Sequence, residues 1–256
     1  MEISRKIFHR MGFETESQGF INRYINVDGA WDEHLENTRQ FIRHTIAGRK
    51  FNNLAVLGSG WLIDLPVEEL SKAAGRVWLY DAVHPVQVIH KIGKMSNITA
   101  VRADVTGGAL ANALGAVRQY KKSKQKTPPE IICKVEFKPG VTQDFMISLN
   151  LLSQIGVMIT GYLEEHIPYS KEELSEIRTR LQAAHLKLMM PGRSCLITDT
   201  EEYSYDLTDG SLETSPVVDC VMPAARRTET WEWQFDPLGD YKPDKKTVMK
   251  VMALEL

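Results

Sequence analysis

The chain has 256 residues, enough for a core that buries most of its apolar surface without help from a partner. Its 31 basic and 33 acidic residues give a formal net charge of −2, so no whole-protein field draws it to nucleic acid or to an anionic membrane. Three cysteines, Cys133, Cys195 and Cys220, are too few and too scattered for a disulfide framework or a metal knuckle, which points to a reducing compartment. The opening segment MEISRKIFHRMGFETE lacks the continuous apolar core of a signal peptide, and no run approaches the roughly 20 apolar residues of a membrane span. A cytoplasmic protein with no membrane partner is expected.

In chain order, residues 1–50 read as a helical cap or extension ahead of an α/β domain over residues 51–256. After Asp28-Gly29, the residues Trp31, Leu35, Thr38, Phe41, Ile42, Thr45 and Ile46 recur at three- and four-residue steps until Gly48, which predicts an amphipathic helix. Asn22, Arg23, Tyr24, Trp31 and His34 form a polar and aromatic cluster. It suits the lid of a cleft, or plain packing with Trp31 in the core and His34 hydrogen-bonded there.

The organising stretch follows. Leu54-Ala55-Val56-Leu57 is an apolar run that leads at once into Gly58-Ser59-Gly60 and then a helix-compatible segment holding Pro66, Glu68, Glu69 and Leu70. A second run, Val77-Trp78-Leu79-Tyr80, ends on Asp81, about 20 residues beyond the first glycine. Glycines at the end of a parallel strand let the backbone turn sharply against a ligand, and a carboxylate closing the next strand accepts hydrogen bonds from ribose hydroxyls. The plainer alternative is a tight turn at Gly-Ser-Gly with Asp81 as a helix cap.

Alternation continues. Ala82-Val83-His84-Pro85 leaves the second strand, Val86, Val88, Ile89 and Ile92 mark a helix up to Gly93, and Ile98-Thr99-Ala100-Val101 is a third strand. It runs into Asp104-Val105-Thr106. In a parallel sheet the carboxyl ends of neighbouring strands share one crevice, so Gly58, Asp81 and Asp104 are expected to converge. Asp104 or Thr106 equally suits the cap of a helix built on Leu110, Leu114 and Val117.

Lys121 to Pro129 carries four lysines and a diproline stop and reads as a solvated loop; without interleaved aromatics it is no nucleic-acid site. Ile131-Ile132-Cys133 reads as an irregular strand and Phe137-Lys138-Pro139-Gly140 as a turn. A fourth strand, Phe145 to Leu149, ends at Asn150, and a helix holding Leu151, Leu152, Ile155, Met158, Ile159, Tyr162 and Leu163 is expected next, with Ser153 and Gln154 in its first turn. Asn150 either faces a ligand or caps that helix. Ser170 with Glu173 is a capping box, and Leu174, Ile177, Leu181 and Leu188 form the stripe of a helix stopped by Pro191-Gly192. Ser194 to Asp199 is a fifth strand with a carboxylate at its end. Trp231 to Phe235, a turn at Pro237-Leu238-Gly239, and Thr247 to Leu254 predict two closing antiparallel strands.

With this order of strands, glycine loop and strand-end acids, and with the Leu-Met-Met-Pro-Gly-Arg connection before the fifth strand, residues from about Asn52 to Leu256 resemble the class I S-adenosylmethionine-dependent methyltransferase superfamily. The leading segment resembles that of bacterial methyltransferase-like proteins. The resemblance implies an α/β, Rossmann-like sheet, mostly parallel with an antiparallel closing strand and flanked by helices. It implies S-adenosyl-L-methionine as cofactor, with Gly58, Ser59 and Gly60 around its methionine part, Asp81 and Ala82 at the ribose, Asp104 and Val105 at the adenine, and Asn150, also a cofactor-binding residue, at the strand end that commonly faces the substrate. Two positions depart from the family pattern. Val56 stands where an acid is usual, and Leu62 stands at the third glycine position. Trp61 either stacks on a ligand or closes the pocket, and Asp64 supplies a carboxylate if the loop folds back.

A methyltransferase acting on a small molecule is therefore the leading expectation. A binding protein that kept the fold and lost catalysis is the alternative suggested by Val56 and Leu62; a nicotinamide-dependent oxidoreductase is a second, against which the antiparallel closing pair speaks. His34, His84 and His166 are candidate bases by residue type alone. No paired-carboxylate, Ser-His-Asp or metal-ligand spacing is present.

Overall fold

The computed structural model describes residues 5–256; the first four residues, part of the 1–50 extension and of the segment read for a signal peptide, lie outside the described residues. Three helices lead, α1 (Arg5–Arg10), α2 (Phe13–Asn26) and α3 (Asp32–Ile46). Then follow β1 (Phe51–Leu57), α4 (Val67–Ala73), β2 (Ala74–Asp81), α5 (Val86–Ile92), β3 (Ile98–Arg102), α6 (Ala109–Ser123), α7 (Pro129–Ile132), β4 (Phe145–Leu149), α8 (Val157–His166) and α9 (Lys171–Leu186). The chain closes with β5 (Ser194–Asp206), β6 (Leu212–Pro216), β7 (Arg227–Asp236) and β8 (Lys245–Glu255).

One sheet runs through the molecule in the order β3-β2-β1-β4-β5-β8-β7, with β6 paired to the far half of β5. Strands β1 to β5 are parallel, whereas β8 is antiparallel to both β5 and β7. Because β8 stands between β5 and β7, no sixth strand adds directly in parallel to β5. This is a Rossmann-like sheet, mostly parallel with an antiparallel closing strand, as the sequence resemblance implies. Inner strand β1 explains its own composition: Leu54, Ala55, Val56 and Leu57 are all fully buried, because a parallel strand with neighbours on each side and helices above and below has no solvent face.

Helix α3 forms where the apolar period predicts it. Leu35, Phe41, Ile42 and Ile46 join the core, and the helix packs on β5, β7 and β8. Trp31 is fully buried, donates its indole N–H to the Phe235 carbonyl at 2.9 Å, and packs its ring on Trp233 and Phe235. His34 stacks on Trp233 at 4.0 Å, and its Nδ1 accepts from the Trp231 indole at 3.1 Å. Burial pushes its pKa down to about 3, so it is a neutral packing residue.

Several expectations are corrected. Residues 131–133 are not a strand: Pro129 occupies the first turn of α7, where its fixed φ and missing N–H favour a helix start. Helix α8 begins at Val157 rather than Leu151, because Asn150 adopts a left-handed φ of 46° and residues 152–156 form turns. Leu152 and Ile155 are buried from those turns, which gave the helix-like spacing. Lys121 and Lys122 lie in the last turn of α6, so the loop starts later than the composition suggested. Strand β5 runs on through Asp199 to Asp206 across an irregularity at 199–201, and its continuation recruits β6, which had no sequence signal. The capping box is present as read, with Ser170 and Glu173 side chains each accepting the other's backbone N–H.

Truncating Trp31 removes a large side chain from the joint between α3 and the closing strands and orphans the Phe235 carbonyl. Trp31→Ala is expected to cost about 3–5 kcal/mol in urea unfolding, with the m-value unchanged.

Candidate functional site

A cavity of about 520 Å³ opens at the carboxyl ends of β1 to β4, where the strand order reverses between β1 and β4. Its size is that of a small-molecule site, and its position is the crevice in which open α/β sheets bind ligands. Gly58, Ser59, Gly60, Asp81, Ala82, Asp104, Val105 and Asn150 all line it, so the sequence-derived residues are brought together from four strand ends.

The two glycines do different things. Gly58 has φ +81°, donates its N–H to the Tyr80 carbonyl at 3.0 Å, and leaves no room for a side chain: a Cβ would stand 2.4 Å from the Leu149 carbonyl oxygen. It is required by the approach of β1 to β4. Gly60, with φ +46°, has nothing within 4 Å of a Cβ position and presents bare backbone to open space.

The Asp81 carboxylate ties this loop to β2. Its Oδ2 accepts from the Gly60 N–H at 2.8 Å and its Oδ1 from the Val83 N–H at 3.1 Å. Burial pushes its pKa up, opposed by those N–H groups and by His84. His84 in turn shares a 3.1 Å hydrogen bond with the Ser59 hydroxyl, and burial holds its pKa down. Asp104 accepts from the Thr106 backbone N–H and hydroxyl and from the Gly108 N–H at 3.0 Å, and Thr106 accepts from Ala109 N–H. Asp104 thus lines the cavity and also organises the entry to α6.

The departures from the family pattern resolve locally. Val56 is fully buried between Leu79 of β2 and Ile147 of β4, a place where a carboxylate would have no partner. Leu62 adopts the left-handed φ of 58° that favours glycine, yet its side chain is 2% exposed in the core and does not line the cavity. The cost of that conformation, about 1–2 kcal/mol, is offset by burying a leucine, about 1.5–3 kcal/mol. The loop therefore folds back and places Asp64 on the cavity wall, where its Oδ2 accepts from the Asn150 amide at 3.0 Å. Burial pushes the Asp64 pKa up to about 6, opposed by its own backbone N–H and by Asn150. Asn150 does not cap α8, whose N-cap is Gly156; its Oδ1 is buried without a partner.

Which residues of the leading helices reach the cavity was, apart from Arg23, not legible in the sequence. Phe8, Phe13, Ser17, Phe20 and Arg23 of the first two helices close over the strand ends, and Trp61 Nε1 donates to the Ser17 carbonyl at 2.8 Å, pinning the loop to α2. Trp61 lines the cavity. Of the proposed lid cluster only Arg23 reaches the cavity. Trp233, Phe235, Tyr241 and Asp199 line it as well; the alternation from Trp231 to Phe235 was the one available hint. None of His34, His84 and His166 lines the cavity, and His166 Nδ1 is spent on the Tyr162 carbonyl. Among the described residues no group of three or more His, Cys, Asp or Glu side chains is placed to hold a metal, and no helix is long and apolar enough to cross a membrane.

No protein-family model matches the chain, and no curated protein is similar to it in sequence. Solved structures with a similar arrangement include the N-methyltransferase NodS from Bradyrhizobium japonicum WM9 in complex with S-adenosyl-L-homocysteine (TM-score 0.39, 12% identity, 86% of each chain covered). Others are the DhpI–SAH complex (0.38, 11%, 94% of this chain and 96% of that one) and the 1,6-didemethyltoxoflavin-N1-methyltransferase of Burkholderia thailandensis (0.41, 11%, 100% and 92%). At these identities and scores the likenesses add nothing to the strand order, which shows the fold alone.

Two outcomes follow from this geometry. Gly60→Ala is expected to fold with a loss of about 1–2 kcal/mol and to narrow the cavity, whereas Gly58→Ala is expected to disrupt the β1–β4 junction; thermal melts of both variants separate them. Because the folded-state pKa of Asp64 lies above its unfolded value of 3.8, its protonation favours the fold at low pH and this contribution is lost as pH rises through about 6. Relative to Asp64→Asn, the wild type should lose up to about 3 kcal/mol between about pH 4 and pH 7, read from urea midpoints.

Proposed function

We propose that this protein, built on the class I methyltransferase sheet, binds S-adenosylmethionine in the strand-end crevice and transfers its methyl group to a small molecule. The observation that carries the reading is the convergence of Gly60, Asp81, Asp104 and Asn150 on one cavity at the point where the strand order reverses.

The residues present fit the cofactor. Gly60 offers open backbone, and Asp81 lines the cavity with acceptor capacity left over after binding its own loop's N–H groups, which suits a ribose hydroxyl. Asn150 carries an unpartnered amide oxygen. When bound, the cofactor supplies a methyl group on a sulfonium, which is already electrophilic. The chain's contribution is then position: the glycine loop and Asp81 hold one partner while Asn150, Gln154 and the aromatic wall of Trp233, Phe235 and Tyr241 face the other. Helices α1 and α2 line the same cavity, joined to the glycine loop by the Trp61–Ser17 hydrogen bond. A roofed cavity of about 520 Å³ favours a small substrate over a macromolecule. The location of all three candidate histidines off the cavity wall argues for a nucleophile that needs no histidine base. Since Leu62 turns into the core, it no longer speaks for a closed, degenerate site.

A thermal-shift series with S-adenosylmethionine, S-adenosylhomocysteine and NAD on the wild type and Asp81→Ala tests this. A ligand at a hundredfold over its dissociation constant adds about 2.7 kcal/mol to stability. The expected outcome is a shift with both methionine-derived ligands, none with NAD, and loss of the shift in the variant. No shift with either adenosyl ligand removes the proposal. Binding without turnover across panels of small amines, acids and phenols would favour a binding protein.

A further inference from the structure

Six arginines of the described residues are half-buried. Five of them, Arg39, Arg43, Arg49, Arg178 and Arg227, each hold a carbonyl or a carboxylate. Arg23 is the sixth, and among the described residues it makes no hydrogen bond and no ion pair. Its guanidinium lies over the rings of Phe235 and Tyr241, 4.7 and 5.1 Å from their centroids. Stacking occupies the flat face of a guanidinium and leaves its in-plane N–H groups unused. Of the three nitrogens only Nε is enclosed, and it has no partner. The two terminal nitrogens stay open, and together they form the end-on fork that matches both oxygens of a carboxylate.

This fork belongs to the end of the cavity away from the glycine loop. Arg23 and the two rings beneath its guanidinium all line the cavity. Helix α2 meets the glycine loop through Ser17 and, six residues later, the closing strands through Arg23, a rise of about 9 Å. Phe235 stands on β7, four steps from β1 in the sheet order, about 19 Å across the sheet. The residues that suit the cofactor come from β1, β2 and β3, so Arg23 faces the space left for the other reactant.

The acids of the cavity limit the charge that can enter. Glu16, Asp64, Asp81, Asp104 and Asp199 line it, none is paired with Arg23, and burial already pushes the four aspartates up in pKa. One guanidinium balances one carboxylate; a phosphate dianion would bring a second charge with no cation to meet it. Phe13, Phe20 and Trp233 line the cavity as well and suit an apolar body.

We propose that Arg23 anchors the carboxylate of a small apolar monocarboxylic acid, and that such acids are the substrate class of this cavity. The inference rests on the methyl-transfer reading above and deepens it.

Nuclear magnetic resonance titrations of phenylacetate and 3-phenylpropionate, each against its primary amide, test the anchor with and without S-adenosylhomocysteine. The amide keeps the shape and loses the charge. With S-adenosylhomocysteine bound, the wild type is expected to prefer the carboxylate about tenfold or more, the size of a charge-assisted hydrogen bond, and Arg23→Gln to bind the two within about twofold of each other. No preference in the wild type, or one that survives the substitution, overturns the inference and leaves the cofactor reading standing. A preference that S-adenosylhomocysteine abolishes gives Arg23 to the cofactor's own carboxylate and overturns the inference too. A wild type that binds no S-adenosylhomocysteine removes the cofactor reading and the substrate role with it. Should Arg23→Gln fail to fold, Arg23→Lys, which keeps a charge and lacks the fork, replaces it: a preference reduced about threefold or more supports the anchor, and an unchanged one overturns it.

Discussion

The cavity depends on the closeness of β1 and β4 at their carboxyl ends. Gly58 passes the Leu149 carbonyl so tightly that a methyl group there would lie 2.4 Å from oxygen, and its own N–H is bound to Tyr80 of β2. With three strand ends locked at one residue, the chain leaves β1 in a left-handed conformation and has a single way to go. Gly60 is delivered to the Asp81 carboxylate, Leu62 is turned into the core, and Asp64 is carried back to Asn150. Each later contact is a consequence of that first turn.

The loop shows how a fold tolerates a locally unfavourable residue. A left-handed leucine is rare, because Cβ crowds the following carbonyl. Here the same torsion that strains Leu62 aims its side chain away from the cavity into apolar neighbours, so packing and conformation offset each other at the scale of a kilocalorie or two. The polar wall follows an opposite rule. Asp64, Asp81, Asp104 and Asp199 are all buried enough to push their pKa values up, so the protein holds anionic groups in a place that disfavours charge.

The roof is a second layer built from different material. Helices α1 and α2 contribute Phe8, Phe13 and Phe20, and one hydrogen bond from Trp61 to Ser17 joins them to the glycine loop. Helix α3, though next in sequence, belongs to the sheet through Trp31 and its contacts with Trp233 and Phe235. The leading fifty residues thus serve two tasks, one at the cavity and one in the core.

What the sequence determined by itself was whatever is encoded within about a dozen residues. The apolar run of β1, the three- and four-residue stripe of α3, the Ser170–Glu173 box and the carboxylates closing β2 and β3 are all local patterns with local physical causes, and the eight residues that the family resemblance assigned share one cavity. The misreadings are also local in origin: Leu152 and Ile155 keep helical spacing because the core buries them, although residues 152–156 turn. Tertiary structure alone decided that Leu62 faces inward, that Asp64 meets an amide 86 residues away, that His34 lies under Trp233 and that α2 roofs the crevice. Those outcomes depend on which distant surfaces are buried together, and burial between remote segments leaves no period in the chain.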